Sequence, residues 1–161
     1  MKVLPTYALI LIAHTSQVMA EDLTFGIGSA NIGNSAPGSP TFQIEYHSDP
    51  IWEFERVRVS AAVALQAEGN STFYVGGGLS TIWNFAESWF VEGSLLAGYY
   101  DEGRDGVDLG SDLQFRSLVG IGYHLPNKSS VSFALDHLSN AGFDRINPGR
   151  ESVTIRYSIP F

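Results

Sequence analysis

Near the C-terminal end of the chain, His137, Ser139 and Glu151 fall within fifteen residues of one another. A hydroxyl, an imidazole and a carboxylate are the groups that nucleophilic acyl transfer requires. The imidazole takes the hydroxyl proton as the oxygen attacks a carbonyl, and the carboxylate holds the imidazole tautomer and stabilises the imidazolium. Residue types alone carry little weight, so the elements that position them decide.

Those elements alternate. Val131, Phe133 and Leu135 precede His137 at every second position, and Val153, Ile155, Tyr157, Ile159 and Phe161 follow Glu151 in step, with Ser152, Thr154, Arg156 and Ser158 between them. Period two marks a strand, whose successive side chains point to opposite faces. Parity then puts His137 and Ser139 on the apolar face of one strand and Glu151 on the apolar face of the next. Residues i and i+2 on a strand lie roughly 7 Å apart at Cα, so His137 reaches Ser139 only with suitable rotamers and some local twist or bulge. Glu151 comes from the paired strand, where opposed Cβ atoms are about 5 Å apart.

The same alternation recurs upstream: Leu23, Phe25 and Ile27; Phe42, Ile44 and Tyr46; Val57, Val59, Ala61, Val63 and Leu65; Phe73, Val75, Leu79 and Trp83; Trp89, Val91, Leu95 and Tyr99; Leu113, Phe115, Val119, Ile121 and Tyr123. The opposite faces collect Gln43, Glu45, Arg56, Arg58, Gln66, Glu92, Gln114, Arg116 and Asp136 with many glycines. That makes eight strands with no helical period between them. An even number of strands of roughly ten residues, apolar on one face and polar or glycine on the other, predicts an all-β fold, an eight-stranded antiparallel transmembrane β-barrel of the outer-membrane type. The inverted alternative is a soluble lipocalin-like barrel with its apolar faces inside. With both ends of the chain on the periplasmic side, segments 29–40, 66–71, 100–112 and 139–150 are expected to be extracellular loops, and 47–55, 84–88 and 124–128 periplasmic links.

Composition agrees and excludes several classes. The 161 residues are 44% hydrophobic and 16% charged, with no cysteine, so disorder, a disulfide scaffold, a Cys-ligated metal and a cysteine nucleophile all fall away. A net charge of −8 repels phosphate backbones, so no nucleic acid is expected as a partner. Residues 1–20 read as a signal peptide, with Lys2, an apolar run over 7–13 and Val18-Met19-Ala20 before the cleavage site; residues 21–161 then form the barrel. Losing Lys2 would take the net charge from −8 to −9. His47 and His124 have no second ligand at suitable spacing, and the acids Asp101, Glu102, Asp105, Asp108 and Asp112 do not fit a calcium loop, so no metal and no organic cofactor is expected.

The stretch His137-Leu138-Ser139-Asn140-Ala141-Gly142, followed by Asn147-Pro148-Gly149-Arg150-Glu151 and a last alternating strand ending in Phe161, resembles the lipid A 3-O-deacylase (PagL) family. The resemblance is strong over residues 131–161 and elsewhere rests on strand number and general character. It implies an outer-membrane hydrolase that cleaves the ester-linked acyl chain at position 3 of lipid A, with Ser139 as nucleophile, His137 as base and Glu151 as the orienting acid. It implies further that the oxyanion is held by the Asn140 side chain and the Gly142 backbone N–H. The partners expected are lipid A or lipopolysaccharide of the outer leaflet and the membrane itself, with a homodimer left open. Arg145 and Arg150, in the same loop, are expected to hold the lipid A phosphates. The competing readings are a small structural or adhesive barrel whose rim residues do no chemistry, and a phospholipase or palmitoyl transferase.

Overall fold

A computed structural model of the chain describes residues 21–33, 37–69 and 71–161; the expected signal peptide at 1–20 lies outside the described residues. Eight strands follow one another: β1 (Asp22–Ala30), β2 (Ser39–Phe54), β3 (Val57–Glu68), β4 (Phe73–Asn84), β5 (Trp89–Asp101), β6 (Leu113–His124), β7 (Ser130–Ser139) and β8 (Arg150–Pro160). Each pairs antiparallel with the next, and β8 returns to β1 to close the barrel. Closure leaves no strand edge, which matters in hydrocarbon because each unsatisfied backbone group there costs several kcal/mol. Opposition of Asp22 and Pro160, and a Phe161 N–H to Glu21 C=O bond of 2.9 Å, bring the first and last strand ends together at one end of the barrel. The described residues of the β1–β2 and β3–β4 connections, with 102–112 and 140–149, are at the other end.

One expected link is wrong. Residues 47–55 are not a long turn: β2 runs on to Phe54, and only Glu55 and Arg56 separate it from β3. His47 opposes Ala62 and Trp52 opposes Val59, with register shifts on either side of Pro50. Two extra residues on β2 thus bulge past β3. Because the number is even, parity is restored and Trp52 and Phe54 rejoin the outward face of Val59 and Val57. Pro50 costs no central ladder bond at such a bulge. Arg56, expected on a strand's polar face, sits exposed in this turn and donates to Phe85 C=O at 3.5 Å.

The apolar faces point outward. Phe42, Leu95 and Ile155 are 58%, 60% and 64% exposed, whereas Arg116 and Arg156 inside are at 0% and 1%. That orientation overturns the soluble alternative and matches a lipid-facing band. Aromatic pairs flank the band: Trp89 packs edge-on against Tyr123, and Phe73 tilts against Tyr99.

The lumen is filled. At its centre Glu45 accepts hydrogen bonds from Arg116 Nη1 at 2.5 Å and from Arg156 Nη1 and Nη2 at 2.8 and 2.9 Å. Gln43 bridges Asp136 at 2.7 Å and Gln66 at 3.1 Å, and accepts from Arg116 Nη2 at 3.2 Å. His47 joins Glu45 to Asp22. Glycine makes room for the larger side chains: a Cβ on Gly76 would fall 2.1 Å from the Tyr74 hydroxyl, and one on Gly122 2.1 Å from the Phe90 ring. Toward the loop-rich end, Tyr74, Tyr100, Leu138 and Leu109 form an apolar plug, with Leu109 folded in from the 102–112 connection.

The central carboxylate makes a stability prediction. Glu45→Ala leaves two buried guanidiniums without their shared counter-ion and should lower unfolding free energy by about 3–5 kcal/mol. Urea titration in detergent micelles checks this. A midpoint equal to wild type would show that Glu45 does not hold the lumen together.

Candidate active site

The register of β7 on β8 builds the site. His137 stands directly opposite Glu151 and Leu138 opposite Arg150. The preceding outward residues Phe133 and Leu135 oppose Ile155 and Val153, so His137 and Glu151 continue an outward row toward the loop-rich rim. His137 Nδ1 and Glu151 Oε1 are 3.0 Å apart, and the two side chains are each 46% exposed. A carboxylate can only accept, so Nδ1 carries a proton, and in the neutral ring the lone pair is then on Nε2. The Glu151 backbone is fixed as well, since its C=O accepts the Ile32 N–H at 3.1 Å.

Ser139 ends β7 opposite Phe115 of β6 and shares the outward parity of His137. The two residues are neighbours along one strand face, and no hydrogen bond links their side chains among the described residues. The structure therefore joins imidazole to carboxylate and sets the Ser139 hydroxyl alongside, on a half-buried surface next to the apolar band.

The 140–149 loop turns immediately after Ser139. Ala141 and Gly142 adopt positive φ of 54° and 81°, and Phe143 N–H closes the turn on Asn140 C=O at 3.0 Å. Two consecutive positive φ values are those of a type I′ turn, which explains glycine at the second. Asn140 is at 0% exposure. Its Nδ2 donates to Leu109 C=O at 2.8 Å and Ile146 C=O at 2.7 Å, and its Oδ1 accepts the Gly142 N–H at 2.9 Å. The two donors expected at an oxyanion are thus engaged within the loop, with Asn140 tying it to Leu109 and to the lumen plug. Asn147 was not among the residues expected at the site and stood only within the stretch that resembles the family. Its Oδ1 accepts the Asn140 backbone N–H at 3.1 Å, which sets the rest of its amide beside the Ser139–Asn140 junction on an exposed side chain.

Arg150 is the clear correction. Adjacent residues on a strand face opposite sides, so an outward Glu151 forces Arg150 inward. It is 1% exposed, pairs with Glu68 and lies over the Tyr100 ring at 5.5 Å from the centroid. It cannot meet a phosphate outside the barrel. Arg145 stays exposed in the loop, as do Phe143 and Ile146, and the Phe143 ring leans on Phe115 with centroids 5.9 Å apart. Of the remaining sequence candidates, His47 belongs to the lumen network and His124 bonds Asn84 at 2.8 Å. No group of three metal-binding side chains occurs among the described residues.

Comparison with known proteins gives this geometry a family. The Lipid A deacylase PagL of Pseudomonas aeruginosa is 36% identical over 72 residues, which is 44% of this chain and 42% of that relative. The alignment therefore spans less than half the length of the curated relative it matches. The crystal structure of the outer membrane enzyme PagL superposes with a TM-score of 0.73 at 22% identity, covering 87% of this chain and 99% of the other. Neisserial surface protein A superposes less closely, with a TM-score of 0.54 at 12% identity over 88% of this chain and 96% of the other. At these identities structural likeness speaks for the barrel fold alone. The family model described as "Lipid A 3-O-deacylase (PagL)" matches residues 31–160, nearly the whole barrel and every residue of the site, and so the chain belongs to the lipid A 3-O-deacylase (PagL) family.

Proposed function

We propose that this protein is an outer-membrane esterase that hydrolyses the 3-O-linked acyl chain of lipid A through Ser139, His137 and Glu151. The observation that carries the reading is the 3.0 Å His137–Glu151 hydrogen bond on the outer face of the barrel, two residues from a rim serine. Family membership supports the reaction class. An outward site also suits the substrate, because lipid A lies in the outer leaflet and its acyl esters sit at headgroup depth beside the barrel wall. A lumenal site would require the lipid to leave its layer.

In the proposed mechanism Ser139 Oγ attacks the acyl carbonyl and passes its proton to His137 Nε2. Glu151, on Nδ1–H, stabilises the imidazolium that forms. The tetrahedral intermediate collapses as His137 returns the proton to the departing sugar 3-oxygen, leaving the acyl group esterified to Ser139. Water, deprotonated by His137, then attacks the acyl-serine, releases the fatty acid and regenerates the hydroxyl. Asn147 Nδ2 is the oxyanion donor that needs no internal bond broken, whereas Asn140 and Gly142 build the turn that presents Ser139. Arg145 is the cation of the loop exposed to phosphate.

Mass spectrometry of lipid A from cells making the folded wild type should show loss of a 3-hydroxy fatty acid. Ser139→Ala should lower turnover by at least about 10³-fold. Intact lipid A with wild type, or lysophospholipid or an added chain instead, would replace the reading with one of its competitors. Asn147→Asp keeps the acceptor for Asn140 N–H and deletes the donor, so kcat should fall about 10²-fold or more at unchanged melting temperature. Wild-type kcat in that variant would remove Asn147 from the mechanism. The two arginines should separate: Arg145→Ala should cost about tenfold in kcat/KM on phosphorylated lipid A and little on dephosphorylated substrate. Arg150→Ala should instead lower stability by about 3–5 kcal/mol. Equal losses of Arg145→Ala on both substrates would end the phosphate assignment.

A further inference from the structure

Gly149 lies at the end of the catalytic loop, one residue before β8, and its backbone adopts a φ of +72°. A Cβ placed there would fall 2.7 Å from His137 Cε1 and 3.5 Å from both Nδ1 and Nε2. The His137 imidazole therefore points its Cε1 edge at the bare α-carbon of Gly149. We propose that Gly149 is a positioning residue for the base, whose missing side chain leaves room for the Cε1 edge of the His137 ring while Nδ1 meets Glu151. The inference rests on the triad reading above and adds a residue outside the triad itself.

Two requirements for glycine coincide at this position and can be separated. The first is the left-handed backbone, which Ala resists and Asn tolerates. The second is the space taken by the ring, which any Cβ invades. Elsewhere in the chain the two come apart: Gly33 has a φ of +82° with nothing within 4 Å of a built Cβ. Backbone strain without steric consequence is thus available as a control inside the same protein.

What a Cβ on Gly149 meets is the end of a half-exposed side chain and not backbone, so the ring can swing away without unfolding the barrel. Swinging costs alignment. The 3.0 Å contact with Glu151 sets the tautomer and the direction of Nε2, and both are lost if the ring rotates about its χ angles. A misplacement of about 1 Å in a catalytic group can cost about 10²-fold in rate. The expected signature is a folded barrel whose base is out of line.

The test compares Gly149→Ala, Gly149→Asn and Gly33→Ala in refolded protein in detergent micelles, with folding verified by heat-modifiable mobility on gels. Gly149→Asn keeps the left-handed turn accessible and still brings a Cβ, so it carries the test if Gly149→Ala fails to fold. Both Gly149 variants should lose about 10²-fold in kcat with KM nearly unchanged. Gly33→Ala should turn over as wild type does. Imidazole ¹⁵N NMR, with His137 assigned by His137→Gln, should show the Nδ1–H tautomer in wild type and a mixed tautomer in the Gly149 variants, as in Glu151→Gln. An unchanged His137 signal and wild-type kcat in Gly149→Asn would overturn the proposal. The NMR readout needs no substrate, so if wild type proves inactive on lipid A the triad reading falls while the seating of His137 is still decided.

Discussion

Pairing of β8 with β1 is the constraint on which the rest of the molecule depends. Nine opposed pairs, from Asp22–Pro160 to Ala30–Ser152, close the ladder so that no edge faces hydrocarbon. A closed ladder admits no slip, because a shift of one residue on any strand would carry its charged set into lipid and its apolar set into the lumen. Inward and outward are therefore fixed for every residue once they are fixed for one. This is why Glu151 and Arg150, neighbours in sequence, end in different media. One faces His137 at the lipid boundary and the other is buried against Glu68 and Tyr100.

The interior that closure creates is narrow, and its chemistry follows from that. Buried charges are tolerated only when compensated, so Arg116 and Arg156 share Glu45 at the centre while Gln43 ties Asp136 to Gln66. The network is a filling and not a site. Toward the loop-rich end, polar filling gives way to the Tyr74, Tyr100, Leu109 and Leu138 plug. Leu109 has two roles there: its side chain seals the lumen and its C=O receives Asn140 Nδ2. The loop that follows Ser139 is thereby anchored to the barrel's own core, although Ser139 itself faces outward.

Much of this was legible in the sequence because period two is a local signal. The eight strands, the facing of His137, Ser139 and Glu151 on one surface, and the recurrence of charge on the other all follow from alternation that survives in single segments such as Val153 to Phe161. What was not legible is what alternation does not encode. Residues 47–55 read as a link between strands, and only pairing with β3 reveals that two bulges carry β2 through them to Phe54. Arg150 was assigned by its place in a loop when the parity of Glu151 already pointed it inward. The engagement of Asn140 with Leu109 joins residues 31 apart in the chain, and no local pattern announces it.

The site itself shows how little of a catalytic arrangement a sheet supplies. Strand pairing brings His137 and Glu151 together without further help, since directly opposed residues on one face are within hydrogen-bond reach of each other's side chains. It does not bring Ser139 to His137, because residues two apart on a strand are held at nearly the full extended spacing. In the proposed triad that distance is closed by side-chain rotamers on a half-exposed surface, where neither ring nor hydroxyl is confined by a packed core. The surrounding loops have to supply the missing confinement. Ile32 pins the Glu151 backbone, Asn140 ties down the turn after Ser139, and Gly149 leaves room for the Cε1 edge of the imidazole. The proposed triad, at the lipid boundary of so small a barrel, thus depends for its precision on three contacts that strand periodicity does not specify.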